Sequence, residues 1–271
     1  MRISGPDFGP FPLILIRVGG AALILLPVLF TRKNSKVFRK HWRGFVFVGV
    51  IGTALPFCLF AYATLTLEAG FTSLLNAVTP MFTALIAAIW FGAAFRRVQI
   101  LGLVIAFFGV AILSWDRFSF EAGGAGWPIL AVFGATVTYG LSANFSKKFL
   151  AEVPPKTIAA GTLLFGGISL LPLGIWCWPD NSLSGISTGS WACAICLAAI
   201  CTALALLMFF RVLAGNGAMA ATTVTFLIPI FGLWWGWLIL DEAIGIRLVI
   251  GMIVVLLGTA MAIGVVFKNS R

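Results

Sequence analysis

The sequence predicts an all-α fold, a bundle of about nine helices that cross a membrane. Hydrophobic residues make up 61% of the 271 residues, charged residues only 10%, and the mean hydropathy is +1.09. Soluble domains are about 45–50% apolar and about 25% charged, so this chain has more apolar surface than a water-soluble core can hold. Apolar runs of roughly 20 residues recur along it, the length with which a helix crosses about 30 Å of hydrocarbon.

These apolar runs give nine candidate spans in chain order. They cover residues 10–30, 44–66, 70–91, 98–115, 126–144, 157–178, 191–210, 217–239 and 247–267. Because lipid offers no hydrogen-bond partner to the backbone, each span is expected to satisfy its N–H and C=O groups within one helix.

The charged residues between the spans alternate in sign from one side of the membrane to the other. Basic residues dominate one side, at Arg32, Lys33, Lys36, Arg39, Lys40, Arg43, Arg96, Arg97, Lys147, Lys148, Lys156, Arg211, Lys268 and Arg271. The opposite side carries Glu68, Asp116, Arg117, Glu121, Asp180, Asp241 and Glu242, with Arg2 and Arg247 as its other basic residues. The positive-inside rule therefore predicts a multi-pass protein of the cytoplasmic (inner) membrane with a cytoplasmic C-terminus.

The formal net charge of +10 lies in these short loops. A nucleic-acid-binding protein instead presents one continuous basic face, so no nucleic-acid partner is predicted. The predicted partners are a small-molecule substrate and the lipid bilayer, and a homodimer is left open.

An internal repeat divides the chain into two halves, residues 1–115 and 116–271. A shift of 149 positions superimposes Pro80 on Pro229, Phe82 on Phe231, Ala94 on Ala243, Gly102 on Gly251, Gly109 on Gly258 and Ala111 on Ala260. The loops that correspond under this shift fall on opposite sides of the membrane, which indicates an inverted-topology repeat. Inversion needs an odd number of helices per unit. The second half has five and the first has four, so we expect that the first helix of a five-plus-five design is missing, through truncation, a misassigned start or genuine loss.

The stretch from Glu68 to Pro80, EAGFTSLLNAVTP, resembles the fourth-helix signature of the EamA-type permeases in the drug/metabolite transporter superfamily. The segments 218–229, 241–242 and 251–258 are similar to the matching part of that family's second domain, and Arg17 resembles an arginine of its second helix. The common Gly-Glu pair after the fourth helix is here Gly92-Ala93. The resemblance implies a transporter in which the third, fourth, sixth, eighth and ninth of ten helices surround the substrate. It places Tyr62, Asn76, Tyr139 and Thr225 on such helices.

Two prolines point to a substrate pathway. Helices interrupted at corresponding positions of inverted repeats are typical of transporter binding sites, and Pro80 and Pro229 fit that pattern. A proline leaves a carbonyl one turn earlier without a partner, beside Asn76 in the first half and Thr225 in the second. The predicted pathway residues are Tyr62, Asn76, Thr79, Pro80, Tyr139, Thr225 and Pro229. The alternative is that the prolines only kink their helices and that Asn76 and Thr225 bond neighbouring helices.

Arg17 is the one basic residue well inside a predicted span. A charge left in lipid costs at least about 2.5 kcal/mol, so Arg17 is expected to face protein or a water-filled cavity. It could bind an anionic substrate group, or pair with helix carbonyls and Glu68, and the second reading is favoured.

No catalytic residue, cofactor or metal site is predicted. Cys193 and Cys196 form a CxxC inside an apolar span without further ligands, and Asp241 and Glu242 are interpreted as a solvated pair. Together these features predict a secondary transporter, not an enzyme. It would be an exporter or permease that moves a small metabolite such as an amino acid by alternating access. The alternatives are a flippase for a lipid-linked substrate, a membrane-embedded enzyme and an inactive truncated homologue.

Overall fold

The computed structural model describes residues 4–92, 96–115, 119–121, 123–178 and 186–263. Within these ranges the chain forms thirteen α-helices. They are α1 (Gly5–Phe8), α2 (Pro10–Leu25), α3 (Arg32–Gly49), α4 (Leu55–Ala63), α5 (Ala69–Asn76), α6 (Thr79–Phe91), α7 (Arg97–Ser114), α8 (Gly126–Phe149), α9 (Pro155–Trp176), α10 (Thr188–Ala198), α11 (Ala205–Thr222), α12 (Leu227–Leu240) and α13 (Ile246–Ala262). Several residues used in the sequence analysis lie outside these ranges, namely Arg2, Ala93, Ala94, Asp116, Arg117, Asp180, Lys268 and Arg271.

Short segments of 3₁₀ and π helix join some of these helices into longer runs. The 3₁₀ segments are Leu26–Phe30 and Thr223–Phe226, and the π segments are Val50–Ala54 and Ala199–Leu204. Seven of the resulting runs are long and apolar enough to span a membrane, and two shorter apolar helices follow near the end of the chain. Each of the nine predicted spans overlaps one of these runs over the residues that the structure describes, so the prediction of an all-α membrane bundle is confirmed.

The basic segment before the second span is helical, where the sequence analysis placed a loop. α3 begins at Arg32 and bends at His41, whose φ of −110° and ψ of 16° leave the helical region. Its inner face is anchored by Phe38, which stacks on Phe45 at 5.4 Å and on Phe165 at 5.7 Å. Hydropathy alone ends a span where charges begin. An amphipathic helix can keep its charges exposed and continue.

The chain forms two compact units, and each takes helices from both halves of the sequence. One unit contains residues 1–61 and 145–217, and the other contains residues 62–144 and 218–271. This division by contact differs from the predicted division by sequence similarity into residues 1–115 and 116–271, which stays a prediction.

In the first unit, α2 packs against α9 in antiparallel orientation. A Cβ at Gly174 would lie 2.6 Å from Cδ2 of Leu15, and one at Gly167 would lie 3.5 Å from Cα of Gly19. Residue numbers that increase along α2 therefore face residue numbers that decrease along α9. The helices approach this closely because glycine carries no side chain, which is typical of helix pairs in membranes.

In the second unit, α7 packs against α13 in the same antiparallel manner. A Cβ at Gly109 would lie 3.1 Å from the backbone nitrogen of Val255, and Gly251 faces Leu113. Gly258 lies against Gly102, with 2.9 Å between its Cβ position and the Gly102 carbonyl oxygen. Gly102, Gly109, Gly251 and Gly258, which superimpose in pairs under the shift of 149 positions, form this contact.

Candidate functional site

The break between α5 and α6 is built around Pro80. Because proline has no N–H, the carbonyl of Asn76 loses its helical donor. The Thr79 hydroxyl replaces it, donating to the Asn76 carbonyl at 2.7 Å, and the same hydroxyl lies 2.9 Å from Asn76 Oδ1. Asn76 is 8% exposed and Thr79 is 1% exposed. In this conformation the carbonyl that Pro80 frees is satisfied from within the protein.

The polar contacts continue away from the break as a ladder of buried side chains. Thr83 donates to the Thr79 carbonyl at 2.9 Å. Asn144 on α8 donates to the carbonyls of Thr83 and Gly140, each at 2.9 Å. We call Asn76, Thr79, Thr83 and Asn144 the polar ladder; it joins α5, α6 and α8 inside the second unit.

Gly140 allows the ladder to form. A Cβ there would lie 2.9 Å from the backbone nitrogen of Thr83, so any side chain would push α8 away from α6. With glycine, the Asn144 amide reaches a carbonyl on each helix. Hydrogen bonds of this kind hold helices together where no water competes.

The side-chain amide of Asn76 has one donor, Nδ2, that makes no hydrogen bond with the described residues. Its Oδ1 accepts from Thr79. The ladder therefore ends, at the helix break, in a donor that a solute carbonyl or carboxylate could accept.

The second interrupted helix lies in the same unit. Thr225 belongs to the 3₁₀ segment Thr223–Phe226 and is 8% exposed, and α12 restarts at Leu227 with Pro229 buried in its first turn. Proline is tolerated there because the first turn of a helix has no internal acceptor for its N–H groups. Both predicted breaks are therefore present, each with a buried polar residue four positions before its proline.

The two tyrosines predicted for the substrate pathway lie on α4 and α8. Tyr62 lies near the end of α4, with 40% of its surface exposed. Tyr139 is half-buried in α8, next to Gly140. The structure thus brings Asn76 and Thr79 into direct contact and places the remaining predicted pathway residues in the same unit.

Arg17 lies in the first unit, bound to a π segment. Its Nε donates to Thr202 Oγ1 at 2.7 Å, and its Nη2 lies 3.4 Å from the Cys201 carbonyl. The guanidinium also lies 4.2 Å from the ring centre of Phe57. The Thr202 hydroxyl in turn donates to the Leu197 carbonyl, five residues back, at 2.8 Å. Arg17 therefore supports an irregular helix, and Glu68 belongs to the other unit.

Glu242 has a role that the sequence analysis missed. Its carboxylate accepts from the backbone N–H of Ala69 at 2.9 Å and of Gly70 at 3.1 Å, which caps the first turn of α5. Gly236 leaves room for it, since a Cβ there would lie 2.6 Å from Oε2. The interpretation of Asp241 and Glu242 as a solvated pair is therefore wrong for Glu242. Glu68, just before α5, makes no side-chain cap of that helix.

A model of the EamA-like transporter family matches residues 1–115 and 126–264. The chain belongs to the EamA-like transporter family.

Individual relatives agree with this membership of the EamA-like family. The "Uncharacterized transporter YyaM" of Bacillus subtilis (strain 168) is 26% identical over 276 residues, which cover 96% of this chain and 86% of that protein. The "Probable terminal-alkyne amino-acid exporter" of Streptantibioticus cattleyicolor is 29% identical over 125 residues, or 46% of this chain and 41% of that protein. A solved crystal structure matches with a TM-score of 0.72 and 16% identity, over 99% of this chain and 93% of the other, which shows a shared fold.

The sequence signals for this EamA-like site were unequal. Pro80 and Pro229 mark the breaks directly, because proline always removes a donor. Thr83 and Asn144 carry no such signal, since a threonine or asparagine in an apolar helix has many candidate partners. Gly140 carried a weak signal, because a glycine inside a membrane helix is typical of close helix packing.

Proposed function

We propose that this EamA-like transporter is a secondary transporter of the exporter or permease type. It moves a small metabolite such as an amino acid across the cytoplasmic membrane by alternating access. The observation that carries the proposal is the pair of interrupted helices, at Asn76–Pro80 and Thr225–Pro229, in one compact unit. Breaks at corresponding positions of a repeat supply polar groups at the depth where a solute must be held.

Antiparallel packing of corresponding helices supports the inverted repeat behind this mechanism. Under the shift of 149 positions, α7 at Arg97–Ser114 corresponds to α13 at Ile246–Ala262 almost end to end. These two helices run antiparallel, as an inverted repeat requires. The same shift relates the π segments Val50–Ala54 and Ala199–Leu204.

The substrate class follows from the donor at the break. Asn76 Nδ2 is positioned to donate to a carbonyl or carboxylate of the solute, and Thr79 holds the amide that carries it. An amino acid offers such an acceptor. The Streptantibioticus relative is named a probable terminal-alkyne amino-acid exporter, which supports the same class at low identity.

The direct test is exchange in proteoliposomes that contain the purified full chain. Vesicles are loaded with one unlabelled amino acid at a time, and uptake of the labelled form is followed. We expect saturable uptake that Asn76→Ala and Thr225→Ala reduce by about tenfold, the loss of one good hydrogen bond. Thr66→Val is the matched control, since Thr66 is exposed and its hydroxyl makes no hydrogen bond with the described residues.

Two outcomes would contradict the proposal in different ways. Lipid scrambling without solute exchange would indicate a flippase for a lipid-linked substrate. Unaltered exchange in both the Asn76 and the Thr225 variants would show that these residues at the helix breaks do not bind the solute.

A further inference from the structure

A pocket of about 260 Å³ lies within the first unit, between the end of α8, the start of α9 and the bend in α11. Its apolar lining comes from Leu150, Ile158, Phe210 and Leu213. Every lining residue belongs to this one unit, and none is part of the polar ladder. The pocket is therefore a separate feature from the proposed transport site.

Ser146 gives this pocket an unsatisfied donor. The residue lines the pocket, is 2% exposed, and its hydroxyl has no hydrogen-bond partner in the described part of the chain. A serine inside a helix normally donates to the carbonyl one turn earlier. A buried hydroxyl left unsatisfied is expensive, so its position beside a pocket points to an acceptor supplied by a ligand.

Lys147 supplies a positive charge to this pocket. α11 bends at Gly217, which has a φ of +89°, and a Cβ there would lie 2.7 Å from Lys147 Nζ. The bend and the missing side chain together let the ammonium group reach the pocket wall. Neither aspartate nor glutamate is among the twelve residues that line the pocket.

Asn216 adds a third donor. It lines the pocket next to the bend, and its exposed amide makes no hydrogen bond with the described residues. A hydroxyl, an ammonium group and an amide, with no carboxylate among the lining residues, are the donor types that bind an oxyanion.

The size of the pocket limits what the anion can be. Pockets for drug-sized ligands occupy about 300–1,000 Å³, so 260 Å³ fits one polar group better than a whole metabolite. The apolar wall would suit the glycerol and first acyl carbons of a lipid.

The surroundings carry further positive charge. A Cβ at Gly44 would lie 2.9 Å from Cδ2 of Leu150, so the kinked end of α3 and the pocket are at the same end of the unit. Arg39, Lys40 and Arg43 are exposed on that helix. Clusters of this kind attract anionic lipids at the cytoplasmic surface, where the positive-inside rule places these residues.

We propose that this pocket binds a phosphate group, carried by the headgroup of an anionic phospholipid or by free inorganic phosphate. Lys147 neutralises the charge, and Ser146 and Asn216 donate hydrogen bonds to the phosphate oxygens. Bound there, the phosphate joins the end of α8 to the bend in α11.

Thermal unfolding of the purified full chain in detergent tests this proposal. One series compares sodium phosphate with sodium chloride at equal ionic strength, and a second compares dioleoyl phosphatidylglycerol with dioleoyl phosphatidylcholine. We expect saturable stabilisation by at least one phosphate source. Lys147→Gln should raise the apparent dissociation constant about tenfold or more, the effect of one charge-assisted hydrogen bond.

Two further variants make the result specific. Lys148→Gln removes the same charge one residue away, from a side chain that packs over the Phe149 ring at 5.5 Å instead of lining the pocket, and should bind as the parent does. Ser146→Ala should leave the ligand-free protein as stable as the parent or more so, while reducing the ligand-induced shift, because it removes an unsatisfied group.

The outcomes separate the two sources and can overturn the proposal. Stabilisation by phosphatidylglycerol alone assigns the site to lipid, and stabilisation by phosphate as well assigns it to the free anion. If neither source stabilises the parent, the proposal is wrong. Equal losses in Lys147→Gln and Lys148→Gln would also overturn it, by showing a general response to surface charge.

Discussion

Pro80 lacks an N–H at the break between α5 and α6, and one neighbouring hydroxyl compensates for it. Thr79→Val keeps the shape of that side chain but leaves the Asn76 carbonyl and Oδ1 without their donor. Losing a buried hydrogen bond costs about 1–3 kcal/mol. We expect the unfolding temperature in detergent to fall by roughly 2–10 °C.

The control for that measurement is Thr66→Val, the same exchange at an exposed position. It should move the unfolding temperature by less than about 2 °C, as surface substitutions usually do. Equal effects of the two variants would mean that the Thr79 hydroxyl contributes nothing to the break.

Asp7 provides a pH-dependent contact outside the membrane spans. Hydrogen bonds from Ser190 and Ser187 hold the pKa of its carboxyl below the ordinary value of 3.8. Because the folded-state pKa is the lower one, the stabilisation is fully present above about pH 3.8 and is lost as the pH falls through the lowered pKa. The difference in unfolding temperature between the parent and Asp7→Asn should therefore be constant from about pH 6 to about pH 5 and vanish in stronger acid.

Ser187→Ala checks the origin of that difference. Ser187 donates to Asp7 through both its backbone N–H, at 3.2 Å, and its hydroxyl, at 3.0 Å. Without the hydroxyl, Asp7→Asn should have a smaller effect at every pH. An undiminished effect would show that the Asp7 contribution does not come from this contact.

At the level of single residues, the sequence predicted the positions that proline dictates and missed those that depend on distant partners. Pro80 predicts its helix break by itself, because a proline lacks an N–H whatever residues surround it. Glu242 caps a helix that begins 173 positions away, and no local spacing encodes that pairing. Arg17 was predicted to need polar partners, but Thr202 could be named as the partner only once the π segment was known.

The first turn of α5 shows how one element depends on another. Glu242→Gln retains one acceptor for Ala69 and Gly70 but loses the negative charge at the helix N-terminus. Caps and charges at this position contribute about 0.5–2 kcal/mol, so the unfolding temperature should fall by a few degrees.

Asp241→Asn is the neighbouring control for the Glu242 variant. Asp241 is exposed and has a φ of 51°, a conformation that asparagine tolerates as well as aspartate. Its replacement should leave the unfolding temperature unchanged. A larger loss in Asp241→Asn than in Glu242→Gln would remove the case for the cap.

The packing of α7 on α13 should be equally sensitive to a single methyl group. In Gly258→Ala the new Cβ would meet the backbone of Ala106 and lie 2.9 Å from the Gly102 carbonyl oxygen, so the helices would have to separate. Overpacking of this kind costs about 1–3 kcal/mol. Gly245→Ala adds the same methyl in open space and should be neutral. Equal thermal stability of the two variants would contradict the close contact.

The two π segments are a feature of helix geometry that hydropathy does not predict. Val50–Ala54 and Ala199–Leu204 occupy apolar sequence with no proline inside them, so periodicity indicated uninterrupted helices. Their shared offset became visible only in the structure. The two π segments begin 149 positions apart, and π turns are rare and occur mostly at functional sites.

For the molecule as a whole, composition and charge predicted the fold class. That each compact unit takes helices from both halves of the sequence was visible only in the structure. The sequence analysis divided the chain at residue 115, but each compact unit draws helices from before and after that point. α7 packs against α13, its counterpart under the shift of 149 positions, and linear sequence does not show which surfaces meet.

The inverted topology makes a prediction that can be checked in cells. After the five native cysteines are replaced, single cysteines are placed at Arg96 and at Asp241, both exposed and in the corresponding loops before α7 and before α13. In intact spheroplasts, a membrane-impermeant thiol reagent should label Asp241→Cys at once and Arg96→Cys only after permeabilisation, because the basic residues are predicted to lie inside. Lys156→Cys serves as a second inner marker. If Asp241→Cys and Arg96→Cys react from the same side, the two halves are not inverted, and a transport mechanism based on two opposed repeats loses its structural basis.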